Sequence, residues 1–140
     1  TNLDVKIDFL ETQLKEFYWP IKIRLEKNNA VFKMRNNSFV DQAIDENVIL
    51  PNHLEIVNII ESKMYLALPD SSLTQDIFDY LSHVYMYQAL RKGGYSGYPQ
   101  DYNGADYPKS FLINITRTTN TLQKKYSFKK LKRLSETILQ

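Results

Sequence analysis

The chain has 140 residues, 43% of them hydrophobic and 24% charged, and a formal net charge of +2. This length and composition are typical of a single globular domain, residues 1–140, that builds its own core. The absence of cysteine excludes a disulfide framework, a thiolate zinc site and a thiol nucleophile. No apolar run approaches the roughly 20 residues that a membrane span needs. Because the chain begins TNLD, without methionine, we expect it to be a fragment of a longer protein.

The small net charge conceals an uneven distribution. Residues 109–140 carry eight lysines and arginines against a single acid, Glu136, for a charge of +7. The 108 residues before them carry ten basic and fifteen acidic side chains, for a charge of −5. The sequence therefore predicts a basic C-terminal segment attached to a mildly acidic body.

Apolar residues at steps of three and four predict a long first helix. They are Leu3, Ile7, Leu10, Leu14, Phe17, Ile21, Leu25 and Phe32. This spacing places them on one side of a helix that we expect over residues 3–35. Pro20 interrupts the helix because it has no N–H to donate to the carbonyl of Glu16, so we expect a kink or a short break near FYWP. The stripe keeps its phase across Pro20, which favours the kink.

The next segment contains a short helix and then a second main helix. Ser38 precedes a group of apolar residues and is expected to start the short helix. Residues 48–50 are expected to be extended, because the residue before Pro51 is disfavoured in the helical region. The second main helix is predicted over residues 53–66, where Asn52 and Glu55 have the spacing of a capping box.

A third helix is predicted over residues 73–92, with Ser72 and Gln75 repeating the capping spacing. Its apolar residues, Phe78 and Tyr85 among them, cover most of its circumference, so we expect it to be the central helix. Gly93 follows its last turn, where glycine commonly takes the left-handed conformation that ends a helix.

A fourth helix is predicted over residues 109–139. Its apolar positions are first Leu112, Ile115, Thr119, Leu122 and Tyr126 and then, after a slip in phase near Ser127, Phe128, Leu131, Leu134 and Ile138. We expect the second group to continue the buried stripe of the first, with a bend at the slip. No segment alternates with the two-residue period of a strand. The predicted fold class is therefore all-α, a bundle of four main helices with a Tyr/Gly-rich loop between helices three and four.

The segment RKGGYSGYPQDYNGADYPKS, residues 91–110, holds all four glycines and four of the ten tyrosines of the chain. Those tyrosines are Tyr95, Tyr98, Tyr102 and Tyr107. Tyrosine gives a large contact area at a low cost in entropy and is enriched in interfaces. The loop is therefore the leading candidate for binding a protein partner, and the alternative is that the rings pack the loop onto the bundle.

The segment QKKYSFKKLKR is the second candidate site. It interleaves two aromatic residues with six basic ones, Lys124, Lys125, Lys129, Lys130, Lys132 and Arg133. Such a helix can bind nucleic acid or an anionic membrane, with cations on phosphates and aromatic rings stacking or inserting. The alternative is a basic face that is solvated or paired with the acidic body.

A third candidate lies on the third helix, where Asp76, Asp79 and His83 follow one another at steps of three and four. Two carboxylates and an imidazole can ligate a metal, or Asp79 can orient His83 as a general base. The alternative is a polar stripe in which Asp79 and His83 form a local pair. His53, expected in the first turn of the second helix, is predicted to have a lowered pKa because the helix dipole disfavours its charged form.

The common catalytic signatures are missing, since the sequence contains no P-loop, no GxSxG and no HExxH. We therefore expect a non-enzymatic interaction domain without a cofactor. Its expected partner is a protein, with nucleic acid or anionic lipid as the alternative. A homo-oligomer formed through the first helix is also left open.

Three segments carry a resemblance to a known family. They are LKEFYWPIKIRLEKNN, LPNHLEIVNIIE and YLSHVYMYQALR, within residues 10–92. The chain resembles an uncharacterised bacterial family in which this helical domain follows an N-terminal membrane anchor. The resemblance implies no activity. It implies a tether to the inner membrane through a segment preceding Thr1, and the absence of cysteine favours a cytoplasmic location for the domain.

Overall fold

The computed structural model describes residues 1–102 and 105–139. Within them are the helices α1 (Asn2–Gln13), α2 (Trp19–Phe32), α3 (Val40–Ile44), α4 (Leu50–Lys63), α5 (Ser71–Lys92) and α6 (Ser110–Leu139). The described residues contain no β-strand, which confirms the predicted all-α class. Since π-helical turns join α1 to α2 and α3 to α4, the helices form four rods packed as a bundle.

The first rod is helical from Asn2 to Phe32, three residues short of the predicted end. Its irregular point is the π-helical turn Leu14–Tyr18, in which the N–H of Trp19 donates to the carbonyl of Leu14, five residues back. Pro20 follows at once. In a regular α-helix the proline ring would clash with the carbonyl four residues earlier. The wider turn moves that carbonyl away, so the rod continues through Pro20 without a break.

The second rod also has a π-helical turn just before a proline, and the predicted extended segment at residues 48–50 is wrong. The π-helical turn Asp45–Ile49 joins α3 to α4, and the N–H of Leu50 donates to the carbonyl of Asp45. The dihedral angles of Leu50 are those of a right-handed helix, although Pro51 follows it. The predicted start at Asn52 is therefore wrong as well, because Asn52 lies inside the rod and caps nothing.

The helix α5 ends at Lys92, as predicted, but its start and its two capping residues differ from the predicted ones by one or two positions. The N-cap is Asp70, whose Oδ1 accepts a hydrogen bond from the N–H of Leu73, and not Ser72. At the other end the left-handed residue is Gly94, with a φ of 79°, and not Gly93. The N–H of Tyr95 donates to the carbonyl of Leu90 at 2.8 Å, as in a Schellman motif.

The core lies between the four rods, each of which contributes to it. Its largest fully buried side chains include Phe17, Tyr18, Ile21, Ile56, Tyr80 and Phe111. The helix α5 packs against α4 and α6. However, Phe78 and Tyr85 are exposed on its outer side, which corrects the prediction that it is the central helix of the bundle.

The helix α6 is one unbroken helix from Ser110 to Leu139. Ile115, Thr119 and Leu122 are buried, as their spacing predicts. Phe111, which the prediction left out, is buried as well, whereas Leu112 and Tyr126 are only half-buried. The second group of apolar residues, Phe128, Leu131, Leu134 and Ile138, is exposed. The prediction that this group continues the buried stripe is therefore wrong.

Candidate functional site

The four tyrosines of the loop do not form one surface. The ring of Tyr107 lies 6.1 Å from that of Tyr80 and 5.2 Å from that of His83, both on α5. Burial raises the pKa of the Tyr107 hydroxyl to about 12. Tyr107 therefore packs the end of the loop onto the bundle, which is the structural alternative left open by the sequence.

Tyr98 is held by two arginines. Its hydroxyl accepts a 2.7 Å hydrogen bond from Nη2 of Arg35. The guanidinium groups of Arg35 and Arg91 lie 5.6 and 5.5 Å from the centre of its ring, within the range of a cation–π contact. Arg91 also donates to the carbonyls of Tyr95 and Gly97. The two arginines therefore fix the conformation of the loop.

Tyr95 and Tyr102 are the loop tyrosines with the most exposed rings, at 66% and 44%. A groove of about 410 Å³ opens beside Tyr95. We call it the loop groove, and it is lined in part by Arg35, Asp41, Asp45, Glu46, Arg91 and Tyr95. Of the predicted tyrosine surface, Tyr95 and the half-buried Tyr98 line the groove, and the exposed Tyr102 lies outside its lining.

The charges in the loop groove largely neutralise one another. Arg35 lies 3.2 Å from Asp45 and 3.9 Å from Asp41. Asp41 also accepts hydrogen bonds of 3.0 and 2.8 Å from the backbone N–H groups of Asn36 and Asn37. Burial raises the pKa of Asp45, and the positive charge of Arg35 opposes that rise. The arrangement stabilises the turn after α2 rather than preparing an acid or a base.

Asp76, proposed from the sequence as a metal ligand, joins two helices instead. Its two carboxylate oxygens accept hydrogen bonds of 2.6 Å from Ser110 and Asn114, at the start of α6. The residue is buried, so these donors replace the water that its charge would otherwise need.

The other two proposed ligands have partners of their own. Asp79 accepts a hydrogen bond from Gln75, one turn earlier on α5. Nδ1 of His83 lies 2.9 Å from the carbonyl oxygen of Ala105, which assigns the proton to Nδ1. In the part of the chain that the structure describes, no group of three His, Asp or Glu residues is placed to hold a metal ion.

A buried polar network that the sequence did not indicate joins α2, α4 and α5. Nδ1 of His53 accepts a hydrogen bond from the hydroxyl of Tyr80 and lies 3.2 Å from the side-chain amide nitrogen of Asn28. Asn52 extends the network by donating to Oδ1 of Asn28 at 2.8 Å. Because the donors and acceptors come from three separate rods, no helical spacing could have revealed it.

The pKa of His53 is lowered to about 3. The main cause is burial, and the neighbouring His83 contributes. The predicted direction of the shift is confirmed, but the predicted cause is wrong, because His53 lies inside a rod and not in a first helical turn. The neutral imidazole accepts a hydrogen bond within the core, away from any open site.

The basic segment forms the distal half of α6, which we define as residues 124–139. Successive residues of an α-helix are rotated by about 100°. Counted from the buried Leu122, this rotation places Arg133 about 20° away, on the side that faces the bundle, and Leu131 about 180° away. Nη1 of Arg133 lies 3.4 Å from Asp4 of α1, in agreement with that direction. The slip in phase therefore turns the apolar residues outward, because the helix does not break to compensate for it.

These outward residues form what we call the apolar stripe. Their exposed fractions are Phe128 69%, Leu131 65%, Leu134 55% and Ile138 73%. The stripe has basic residues around it. Lys130 and Lys132 are each rotated by about 100° from Leu131, one to either side, and Lys124 lies within about 20° of Leu131 two turns earlier. The distal half is thus an amphipathic helix whose apolar side is turned away from the bundle.

No helix in the described residues is long and apolar enough to cross a membrane. The apolar stripe covers only one side of its helix. No protein-family model, curated protein or solved structure matches the chain.

Proposed function

We propose that this chain is a non-enzymatic interaction domain that docks onto an anionic surface through the distal half of α6. The observation that supports this most strongly is that the apolar side of the basic, amphipathic end of the longest helix faces away from the bundle. Exposed apolar residues grouped on one surface commonly mark interaction sites. The stripe lies among cations, which attract a partner of negative charge.

The charges of the distal half are mostly available to such a partner. It carries six basic residues and one acid, Glu136. Among the ion pairs of the described residues, Arg133 is the one of these six that pairs with an acid, Asp4. Intramolecular pairing with the acidic body therefore accounts for only one of the six cations.

Salt-dependent binding to an anionic surface tests the proposal. The variant Lys124→Gln/Lys125→Gln/Lys130→Gln/Lys132→Gln removes four cations that make no ion pair in the described structure. We expect the unaltered chain to bind immobilised heparin at low ionic strength and to elute at rising salt, because binding releases counterions. We expect the variant to elute at a much lower salt concentration.

A matched control removes the same charge from the body. Lys15, Lys27, Lys33 and Lys92 are exposed and lie outside the distal half, so replacing all four by Gln changes the net charge equally. The proposal requires the control to bind nearly as well as the unaltered chain. Equal losses in both variants, or no binding at low salt, would contradict it.

A second candidate function is protein binding at the loop groove, supported by the exposed ring of Tyr95 beside a groove of about 410 Å³. Arg35 lies just after the first rod, which spans about 45 Å, and the Asp4–Arg133 contact lies near its start. The two candidates therefore use opposite ends of the molecule and can act together.

The expected cytoplasmic location and N-terminal anchor remain predictions. The contact between Asp4 and Arg133 holds the first turn of α1 next to the distal half of α6. An anchor that precedes Thr1 would therefore bring a membrane to the end of the molecule that carries the apolar stripe.

A further inference from the structure

We propose, building on docking through the distal half of α6, that the anionic surface is a lipid bilayer into which the apolar stripe inserts. In this arrangement α6 lies along the surface. Phe128, Leu131, Leu134 and Ile138 enter the boundary between headgroups and acyl chains, and the lysines around them contact lipid phosphates.

The geometry of the stripe fits a helix that lies in an interface. From Phe128 to Ile138 it extends about 15 Å along one side of α6. All four residues are more than half exposed, and three of them are aliphatic or aromatic side chains with exposures of 65% or more. A helix with one apolar side and a strongly cationic remainder is the form that binds bilayer surfaces.

The lysines are placed to assist insertion. Lys130 and Lys132 immediately flank Leu131 in sequence, so they project on either side of the stripe. Their aliphatic stems can lie along the apolar boundary while the ammonium groups reach the phosphates. This combination uses both the charge and the apolar area of the segment.

Two other binding partners, nucleic acid and a second copy of the chain, would each use only part of this surface. The phosphates of a nucleic acid would pair with the lysines, but its bases stack on aromatic rings. Because Phe128 is the one aromatic residue in the stripe, the three aliphatic residues would stay uncovered. A second copy of the chain would cover the apolar residues. However, it would bring together two segments that each carry six basic residues and one acid, and like charges across an interface disfavour association.

Two single tryptophan substitutions test insertion directly. Leu131→Trp places a reporter in the stripe, and Ile113→Trp places one at an exposed position of α6 outside the distal half. Both retain the native Trp19 as a common background. With phosphatidylcholine vesicles that contain phosphatidylglycerol, we expect a blue shift of emission and quenching by acyl-brominated lipid for Leu131→Trp only.

A triple variant measures how much the stripe contributes. We expect Leu131→Ser/Leu134→Ser/Ile138→Ser to partition onto these vesicles more than about tenfold more weakly, because it loses most of the apolar area while keeping every charge. The control Val48→Ser/Phe78→Ser/Ile113→Ser changes three exposed apolar residues elsewhere and should partition normally. Heparin retention should be unchanged in both.

The outcomes separate this inference from the docking proposal on which it rests. Vesicle binding without a blue shift, or retention on heparin or an oligonucleotide without vesicle binding, overturns insertion and leaves anionic docking standing. A dimer in sedimentation that the triple stripe variant dissociates also overturns it, in favour of a second copy. Failure to bind heparin, oligonucleotide and vesicles alike overturns both proposals.

Discussion

Asp76 is a buried carboxylate whose two donors, Ser110 and Asn114, both belong to α6. Asp79, one turn later, accepts a single hydrogen bond from its own helix and is partly exposed. The two acids lie three residues apart in sequence but have very different surroundings.

Replacing each acid by alanine should separate these roles. We expect Asp76→Ala to lower the free energy of unfolding by about 2 to 3 kcal/mol, because it removes the two hydrogen bonds to a charged acceptor that join α5 to α6. Asp79→Ala should change it by less than about 0.5 kcal/mol. Urea denaturation measures both values. Similar values for the two variants would mean that the contacts of Asp76 do not hold α6.

The sequence identified Asp76 and His83 as unusual but could not assign their roles. Helical spacing places residues on a common side of one helix and gives no information about what the opposing helix presents. The partners of Asp76 lie 34 and 38 residues later, and the partner of His83 is a backbone carbonyl. A carboxylate paired with hydroxyl and amide donors has the same local sequence pattern as a metal ligand.

At the scale of elements, the C-terminal end of α5 depends on one backbone conformation. Gly94 has a φ of 79°, and a Cβ added there would meet no atom within 4 Å. Its substitution therefore tests conformation without a steric clash. Gly97 is the matched control, because an added Cβ would make only ordinary contacts at 3.8 Å or beyond.

We expect Gly94→Ala to destabilise the protein by about 1 to 2 kcal/mol, the cost of a left-handed conformation for a residue with a Cβ. Gly97→Ala should be neutral or slightly stabilising, because alanine restricts the unfolded chain. Thermal denaturation of the two variants gives the comparison. An unchanged melting temperature for Gly94→Ala would show that the helix can end in another way.

Element positions were predicted well where regular periodicity runs from end to end and poorly around prolines. The predicted bounds of α5 and α6 fall within two residues of the observed ones. The start of α4 was misplaced because the rule for residues before proline assumes a regular α-helix. A π-helical turn allows the helix to continue through Pro51. Its hydrogen bond from residue i to residue i−5 has no characteristic amino-acid pattern by which the sequence could have predicted it.

At the scale of the whole molecule, His53 couples folding to pH. Its pKa is about 3 in the folded chain, against about 6.5 for an unperturbed imidazole. Below pH 6.5 the unfolded chain therefore binds a proton that the folded chain does not. Stability is unaffected by this group at higher pH and is lost progressively as the pH falls from 6.5 towards 3.

We expect acidification to about pH 5 to remove about 2 kcal/mol of stability through His53. The variant His53→Gln keeps an acceptor for Tyr80 but cannot be protonated, so its stability should depend much less on pH in this range. Chemical denaturation at several pH values measures the difference. Parallel pH profiles for the two proteins would assign the acid sensitivity to other groups.

The sequence predicted the four-rod arrangement, but it did not predict that the second apolar group of α6 faces outward. Periodicity detected the slip near Ser127 correctly. It could not decide whether the helix bends to bury Phe128 and Leu131 or continues straight and exposes them. That choice depends on where the bundle ends, which is a property of all four rods together.

The uninterrupted course of α6 also determines how its distal half becomes ordered. Starting a helix is costly, whereas extending an existing one is not. Phe111, Ile115 and Leu122 anchor the first turns in the core, so they provide the nucleus from which residues 124–139 propagate. A surface that binds residues 124–139 therefore binds a helix that is already formed, and binding does not include the cost of helix nucleation.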